Sequence, residues 1–243
     1  MRAIGAQSVK RFIGDKPVIA RFIGDEIVFP NYVAEGMIHR FDGKDNIGTG
    51  QHDTTANIWK DLISGADMSL ANTVWENFGA RFNGTSSRGT YSGQNLQDYT
   101  IINTHKVRAL TGQHPRFCAE NPYPTIYLHS GNGYRYAFYG QGVDAVFVPS
   151  VTPEVNAVYT IAVRFSRATG LIELFVNGEY VGRQALSRPA PGMVSAMYIG
   201  ARAANDRTLT GNIFEHIVYN RALDADEIAQ NFVVSEHRYN IQN

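Results

Sequence analysis

Disulfides are excluded within this chain, because its 243 residues contain a single cysteine, Cys118. That residue reads as a buried, inert thiol, and the nearest histidines in sequence are His114 and His129. An excess of charge of either sign is also missing. Twenty-two basic residues balance 22 acidic ones, and no basic run of the kind that tracks a phosphate backbone is present. No apolar stretch approaches the roughly 18 residues that a spanning helix needs. The first 30 residues carry no apolar run of signal-peptide length before Arg11, Asp15 and Lys16. Synthesis and folding in a reducing cytosol, with no membrane insertion and no nucleic-acid partner, are the expectations. Gly-x-Ser-x-Gly, phosphate-loop and zinc-spaced Cys/His motifs are all lacking.

Glycine and aromatics are what the chain has: 23 Gly, 13 Tyr and 13 Phe, a balance that favours strands and tight turns. Arg11-Phe12-Ile13-Gly14-Asp15 recurs unchanged as Arg21-Phe22-Ile23-Gly24-Asp25. Each copy reads as strand, Gly-Asp turn, strand. Two copies make a short ribbon over residues 1–30, too small to be stable alone. Pro30-Asn31 closes it, and residues 31–243 read as the main domain.

In the main domain, Tyr159, Ile161, Val163 and Phe165 alternate with Thr160, Ala162 and Arg164, the two-residue period of a half-buried strand. Leu171 to Val176 is apolar on both faces except at Glu173, as in a central strand. Asn177-Gly178 is a strong hairpin signal, and Gly131-Asn132-Gly133 is a second. Further strands are expected at 37–41, 79–83, 99–107, 125–129, 134–139, 180–184, 197–200 and 212–219. One short helix is expected near the end. Asp224 caps it, Glu227 completes a capping box, and Ala225, Ile228, Ala229 and Phe232 share a face. About a dozen short strands and one late helix predict an all-β sandwich of two antiparallel sheets.

The order and spacing of several segments resemble the laminin-G-like family within the concanavalin A-like lectin/glucanase group. These segments are Glu173-Leu174-Phe175-Val176-Asn177-Gly178, Tyr198-Ile199-Gly200, Gly211-Asn212-Ile213-Phe214-Glu215 and Tyr219-Asn220-Arg221-Ala222-Leu223. Trp59-Lys60-Asp61-Leu62 and Arg81-Phe82-Asn83-Gly84 extend the resemblance toward residue 36. It implies a jelly roll, one sheet of which is concave. The repeated ribbon resembles short segments that precede such domains in phage and prophage proteins. That resemblance implies a non-catalytic virion surface protein. Such a protein would attach to other phage structural proteins through the ribbon and bind host carbohydrate or another virion subunit, with homo-oligomerisation open. A purely structural decoration or fibre protein and a divergent glycoside hydrolase are the alternatives.

Glucanases of this fold place carboxylates at two-residue spacing on one strand, so that acid and nucleophile share a face. No such cluster is visible, and the chain reads as a non-enzyme. Calcium is the cofactor expectation, with Asp42, Asp45 and Asp53 as hard oxygen donors in a Gly- and Asn-rich loop. The ligand-binding candidates are Tyr123, Tyr134, Arg135, Tyr136 and Tyr139. Their rings could stack on a pyranose or equally pack between the sheets.

Overall fold

The computed structural model describes residues 31–239, apart from 94–95, 112–115, 121–124, 131–133, 141–142, 147–150, 186–195, 203 and 205. It also describes four short strands ahead of residue 31. Those strands are β1 (Phe12–Ile13), β2 (Lys16–Pro17), β3 (Arg21–Ile23) and β4 (Glu26–Phe29). β1 pairs with β2 and β3 with β4, both antiparallel. Ile13 faces Lys16 and Ile23 faces Glu26, so each pair of strands is joined by a two-residue link, as the repeat predicts.

The sandwich follows. Its strands in chain order are β5 (Met37–Asp42), β6 (Ile58–Trp59), β7 (Met68–Ala71), β8 (Val74–Glu76), β9 (Gly79–Asn83), β10 (Arg88–Ser92), β11 (Tyr99–Val107), β12 (Arg116–Glu120), β13 (Thr125–His129), β14 (Arg135–Gly140), β15 (Val143–Val146), β16 (Val158–Ser166), β17 (Leu171–Val176), β18 (Glu179–Ala185), β19 (Ala196–Ile199) and β20 (Thr210–Tyr219). A 15-residue helix, α1 (Ala225–Tyr239), ends the described chain. The first sheet runs β18-β17-β16-β11-β20-β9-β8, and β5 pairs with the C-terminal half of β20 beside β9. The second runs β15-β14-β13-β12-β19-β10-β7-β6. Every pairing is antiparallel, and the all-β jelly-roll class predicted from the sequence is the one observed.

The main core lies between the sheets. Ile101, Ile161, Val163, Phe165, Ile172 and Leu174 of the first sheet meet Leu70, Ile126, Leu128, Phe138, Met197 and Ile199 of the second. Trp59 and Trp75 sit edge to face in it, with ring centroids 5.1 Å apart, so both tryptophans are structural. A smaller core lies on the outer side of the first sheet. There Ile102, Ala162, Phe175, Ile217 and Tyr219 of the sheet pack with Ile228 of α1.

A β-bulge between Thr104 and His105 decides which residues of β20 enter which core. Ile213 points between the sheets. After the bulge, Glu215, Ile217 and Tyr219 face α1, while His216 and Val218 face the main core. The helix also departs from its predicted face. Its buried residues are Ile228, Asn231, Phe232, Val234 and Ser235, whereas Ala225 and Ala229 are exposed. Two of the residues pointing inward are polar because the sheet beneath presents polar partners. Asn231 donates to the Tyr219 hydroxyl at 3.1 Å and Ser235 donates to Glu215 Oε2 at 2.6 Å. The capping box forms as expected. Glu227 N donates to Asp224 Oδ1 and Asp224 N donates to Glu227 Oε2.

Candidate functional site

The outer face of the second sheet carries a platform of small, polar and aromatic side chains on three adjacent strands. In β7, β10 and β19 the large apolar residues Met68, Leu70, Tyr91, Met197 and Ile199 point inward. The alternate positions therefore point out. They are Ser69 and Ala71 on β7, Arg88, Thr90 and Ser92 on β10, and Ala196 and Tyr198 on β19. Thr90 lies directly between Ser69 and Tyr198, and Ser92 lies opposite Ala196. The Arg88 guanidinium sits over the Tyr198 ring, 5.3 Å from its centroid, and both side chains are half-buried. One aromatic ring, one stacked guanidinium and a surround of hydroxyls and methyls make a shallow surface of the kind that stacks a sugar ring and hydrogen-bonds its edge. Three and four strand steps from β10 along the same sheet, His129 and Arg135 face each other across β13 and β14.

The aromatic candidates predicted from the sequence divide. Arg135 lies on this outer face, half-buried. Tyr134 is half-buried and packs against the main core. Tyr136 is a correction: it is fully buried between the sheets, and its hydroxyl hydrogen-bonds His105 Nε2 at 2.9 Å. Burial pushes that hydroxyl well above the ordinary tyrosine range, and no saccharide reaches it. The two-residue period placed Tyr136 with Phe138 on one strand face but left open which face looked inward. Tyr139 belongs to β14, though its side chain lies outside the described residues, as does Tyr123 altogether.

The three aspartates offered for calcium are held apart by different partners. Asp42 is fully buried. Its carboxylate meets Arg40 Nη2 at 2.6 Å and Arg238 Nε at 2.7 Å, and accepts from the Tyr239 hydroxyl at 2.7 Å and Lys44 N at 2.9 Å. Asp45 accepts from Gly50 N and Asp53 accepts from Thr55. A carboxylate already facing two guanidinium groups does not fit a cation, and this donor set does not make a calcium site. Among the described residues, no group of three or more His, Cys, Asp or Glu side chains could hold a metal ion.

Two further arrangements bear on catalysis. Asp42 on β5 lies directly opposite Glu215 on β20, so the fold does produce a carboxylate pair that sequence spacing missed. Both are fully buried under α1, and Glu215 is pushed above the usual carboxylate range, chiefly by burial. A glycosidase pair must straddle a glycosidic bond, which a sealed pair cannot do. His39, Asp61 and Ser64 also cluster. His39 Nδ1 is 2.7 Å from Asp61 Oδ2, and the Ser64 hydroxyl contacts both. A nucleophile triad needs its serine and its aspartate on opposite ring nitrogens. Here both sit at Nδ1, while His39 Nε2 is buried without a hydrogen-bond partner among the described residues, so this geometry is not that of a proton relay to the serine.

Fold and topology thus define a concanavalin A-like sandwich. The Laminin_G_3 family model, described as the concanavalin A-like lectin/glucanases superfamily, matches residues 83–229, more than half of the chain, and the chain belongs to that family. No curated protein sequence matches it. Among solved structures, Trypanosoma rangeli sialidase in complex with the inhibitor DANA is similar over 88% of this chain and 35% of that one, with a TM-score of 0.62 and 16% identity. Domain 4 of AbnA, a GH43 extracellular arabinanase from Geobacillus stearothermophilus, solved in complex with arabinotriose, is similar over 80% of this chain and 97% of that one, with a TM-score of 0.58 and 16% identity. The native heptameric SAP-like pentraxin of Limulus polyphemus is similar over 61% of this chain and 78% of that one, with a TM-score of 0.50 and 13% identity. The chain therefore spans about a third of the length of the sialidase. These neighbours correct the expectation of a phage virion surface protein. They include domains of glycan-cleaving enzymes and fit the glycoside-hydrolase alternative better.

Proposed function

We propose that this chain is a domain of glycoside-hydrolase type, working in glycan breakdown by holding a saccharide against the outer face of its second sheet. The observation that carries the reading is the platform around Tyr198 and Arg88, in a sandwich that resembles domains of a sialidase and of an arabinanase. The AbnA domain holds arabinotriose in its own structure, which supports a saccharide as ligand here. In this reading the domain holds its saccharide rather than cleaving it, because of where the described carboxylates lie. The carboxylate pair that the fold assembles, Asp42 and Glu215, is sealed beneath α1.

The test is a panel of plant, microbial and animal oligosaccharides, assayed both for binding and for chain shortening. The expected result is saturable binding to at least one saccharide, lost in Tyr198→Ala, with no shortening of any chain. Failure to retain any saccharide, or binding that ignores Tyr198→Ala, overturns the reading. Release of shorter products assigns cleavage to the domain and overturns the holding role.

A further inference from the structure

We infer that the cleft between residues 31–34, β5 and Ile63 binds a small carboxylate with an apolar body, on the scale of a single ring. The site is separate from the Tyr198 platform and stands whether or not that platform holds a saccharide. Its volume is about 320 Å³, and Asn31, Tyr32, Ala34, Met37, Arg40 and Ile63 line it. Tyr32 and Met37 also pack against the smaller core, so the cleft opens at that core's flank. Both walls are pinned. Val33 N donates to Asn231 Oδ1 at 2.9 Å, Val33 O accepts from the Tyr219 hydroxyl at 3.0 Å, and Asn31 O accepts from Gln230 Nε2 at 2.6 Å. On the other side, Leu62 N donates to Arg40 O at 2.9 Å and Ile63 N donates to Asp61 Oδ1 at 3.1 Å. The walls therefore stand before any ligand arrives, and little ordering entropy is lost in filling the space between them.

The lining is apolar except at two residues, the pattern of a small-molecule site. Ile63 remains 50% exposed, so apolar surface is left for a ligand to cover. Arg40 supplies the charged point. Its guanidinium lies over the Tyr32 ring, 4.3 Å from the centroid, and Nη2 meets Asp42 at 2.6 Å. Nη1 makes no hydrogen bond among the described residues, and the side chain is 21% exposed. The acids around Arg40 leave positive charge to spare. Asp42 also meets Arg238 Nε at 2.7 Å, so one carboxylate faces two guanidinium groups. Glu215, the second acid that acts on Arg40, is pushed above the usual carboxylate range by burial, toward its neutral form. An anion at Nη1 is therefore the occupant that completes the charge balance, and an apolar body behind it covers Met37 and Ile63.

The experiment titrates isotope-labelled full chain with benzoate and with benzamide, which keeps the shape and removes the charge, and follows the backbone amide shifts. The expected result is saturable shifts at residues 31–37 and 61–64, with benzoate bound about ten-fold tighter than benzamide and weakened as salt is raised. Removing Arg40 would unpair buried Asp42 and threaten the fold, so the charge is tested at Ile63 instead. Ile63→Glu should weaken benzoate several-fold and Ile63→Lys should strengthen it, while benzamide responds alike to both. Equal affinity for benzoate and benzamide, or equal affinity of the two Ile63 variants for benzoate, overturns the carboxylate assignment. Absence of saturable shifts at the cleft with either compound overturns the site.

Discussion

Gly65 and Gly200 share a backbone angle but not an environment, and replacing each by alanine separates two costs that usually come mixed. Both have φ of 77°, in the left-handed region that L side chains rarely adopt. A Cβ on Gly65 would meet nothing within 4 Å. A Cβ on Gly200 would lie 2.1 Å from Cδ1 and 2.3 Å from Cε1 of Phe82, a fully buried core ring. Gly65→Ala should therefore cost only the backbone term, about 1–2 kcal/mol. Gly200→Ala should carry the same term plus overpacking of about 1–3 kcal/mol, because Phe82 is enclosed by the main core and cannot swing aside. The sum, about 2–5 kcal/mol, is a large part of the margin of about 5–15 kcal/mol by which a domain is usually stable. Urea unfolding with parallel slopes reads the difference directly, and each kcal/mol should move a thermal midpoint by about 2–4 °C in a chain of this size. Gly200 also follows β19 directly, so the same variant should weaken saccharide binding through displacement of Tyr198, while Gly65→Ala leaves binding alone. Equal destabilisation by the two variants would refute the argument that the "Ile-Gly" strand end is glycine for steric reasons.

Acid should unfold the protein early. Burial holds His105 and His216 down to a pKa of about 3, so below pH 6.5 the unfolded chain binds protons that the native one refuses. Stability should therefore fall as pH drops from 6.5 toward 3, by on the order of 2 kcal/mol per histidine at pH 5. His216→Phe should remove about one proton from that slope in urea unfolding across pH, and an unchanged slope would contradict it. Asp61, at about 2 despite its burial because His39, Ser64 and two backbone amides hydrogen-bond its charged form, adds a further loss as pH falls from 3.8 toward 2. Its stabilisation is complete above 3.8, so Asp61→Asn should flatten the acid limb between pH 3.8 and 2 and leave the slope above 3.8 unchanged. Ser235→Ala removes the 2.6 Å hydrogen bond to buried Glu215 and should cost about 1–3 kcal/mol in chemical unfolding. Asp224→Ala breaks the capping box of α1 and should cost about 1 kcal/mol, read in the same way.

The sequence by itself determined the sandwich. Strict alternation at 159–165, the Asn-Gly turn at 177–178 and the capping box at 224–227 are local devices, set by two-residue periodicity, turn chemistry and backbone hydrogen bonds. Their order along the chain was enough to indicate two antiparallel sheets and a late helix. Tertiary structure decided the rest. β7 and β10 escaped notice because their outward positions are small or polar and β10 contains a glycine, so neither shows an apolar run. Arg88 meets Tyr198 only because β10 pairs with β19, far along the chain. The bulge at Thr104 and His105 inverted the phase of β20, turning Glu215 outward and His216 inward, a change that no pattern in Asn212 to Tyr219 announces. Which face of β14 looked inward sent Tyr136 to the core and Arg135 to the surface. Periodicity says that two residues share a face, but only the packing of one sheet on another says which face meets water.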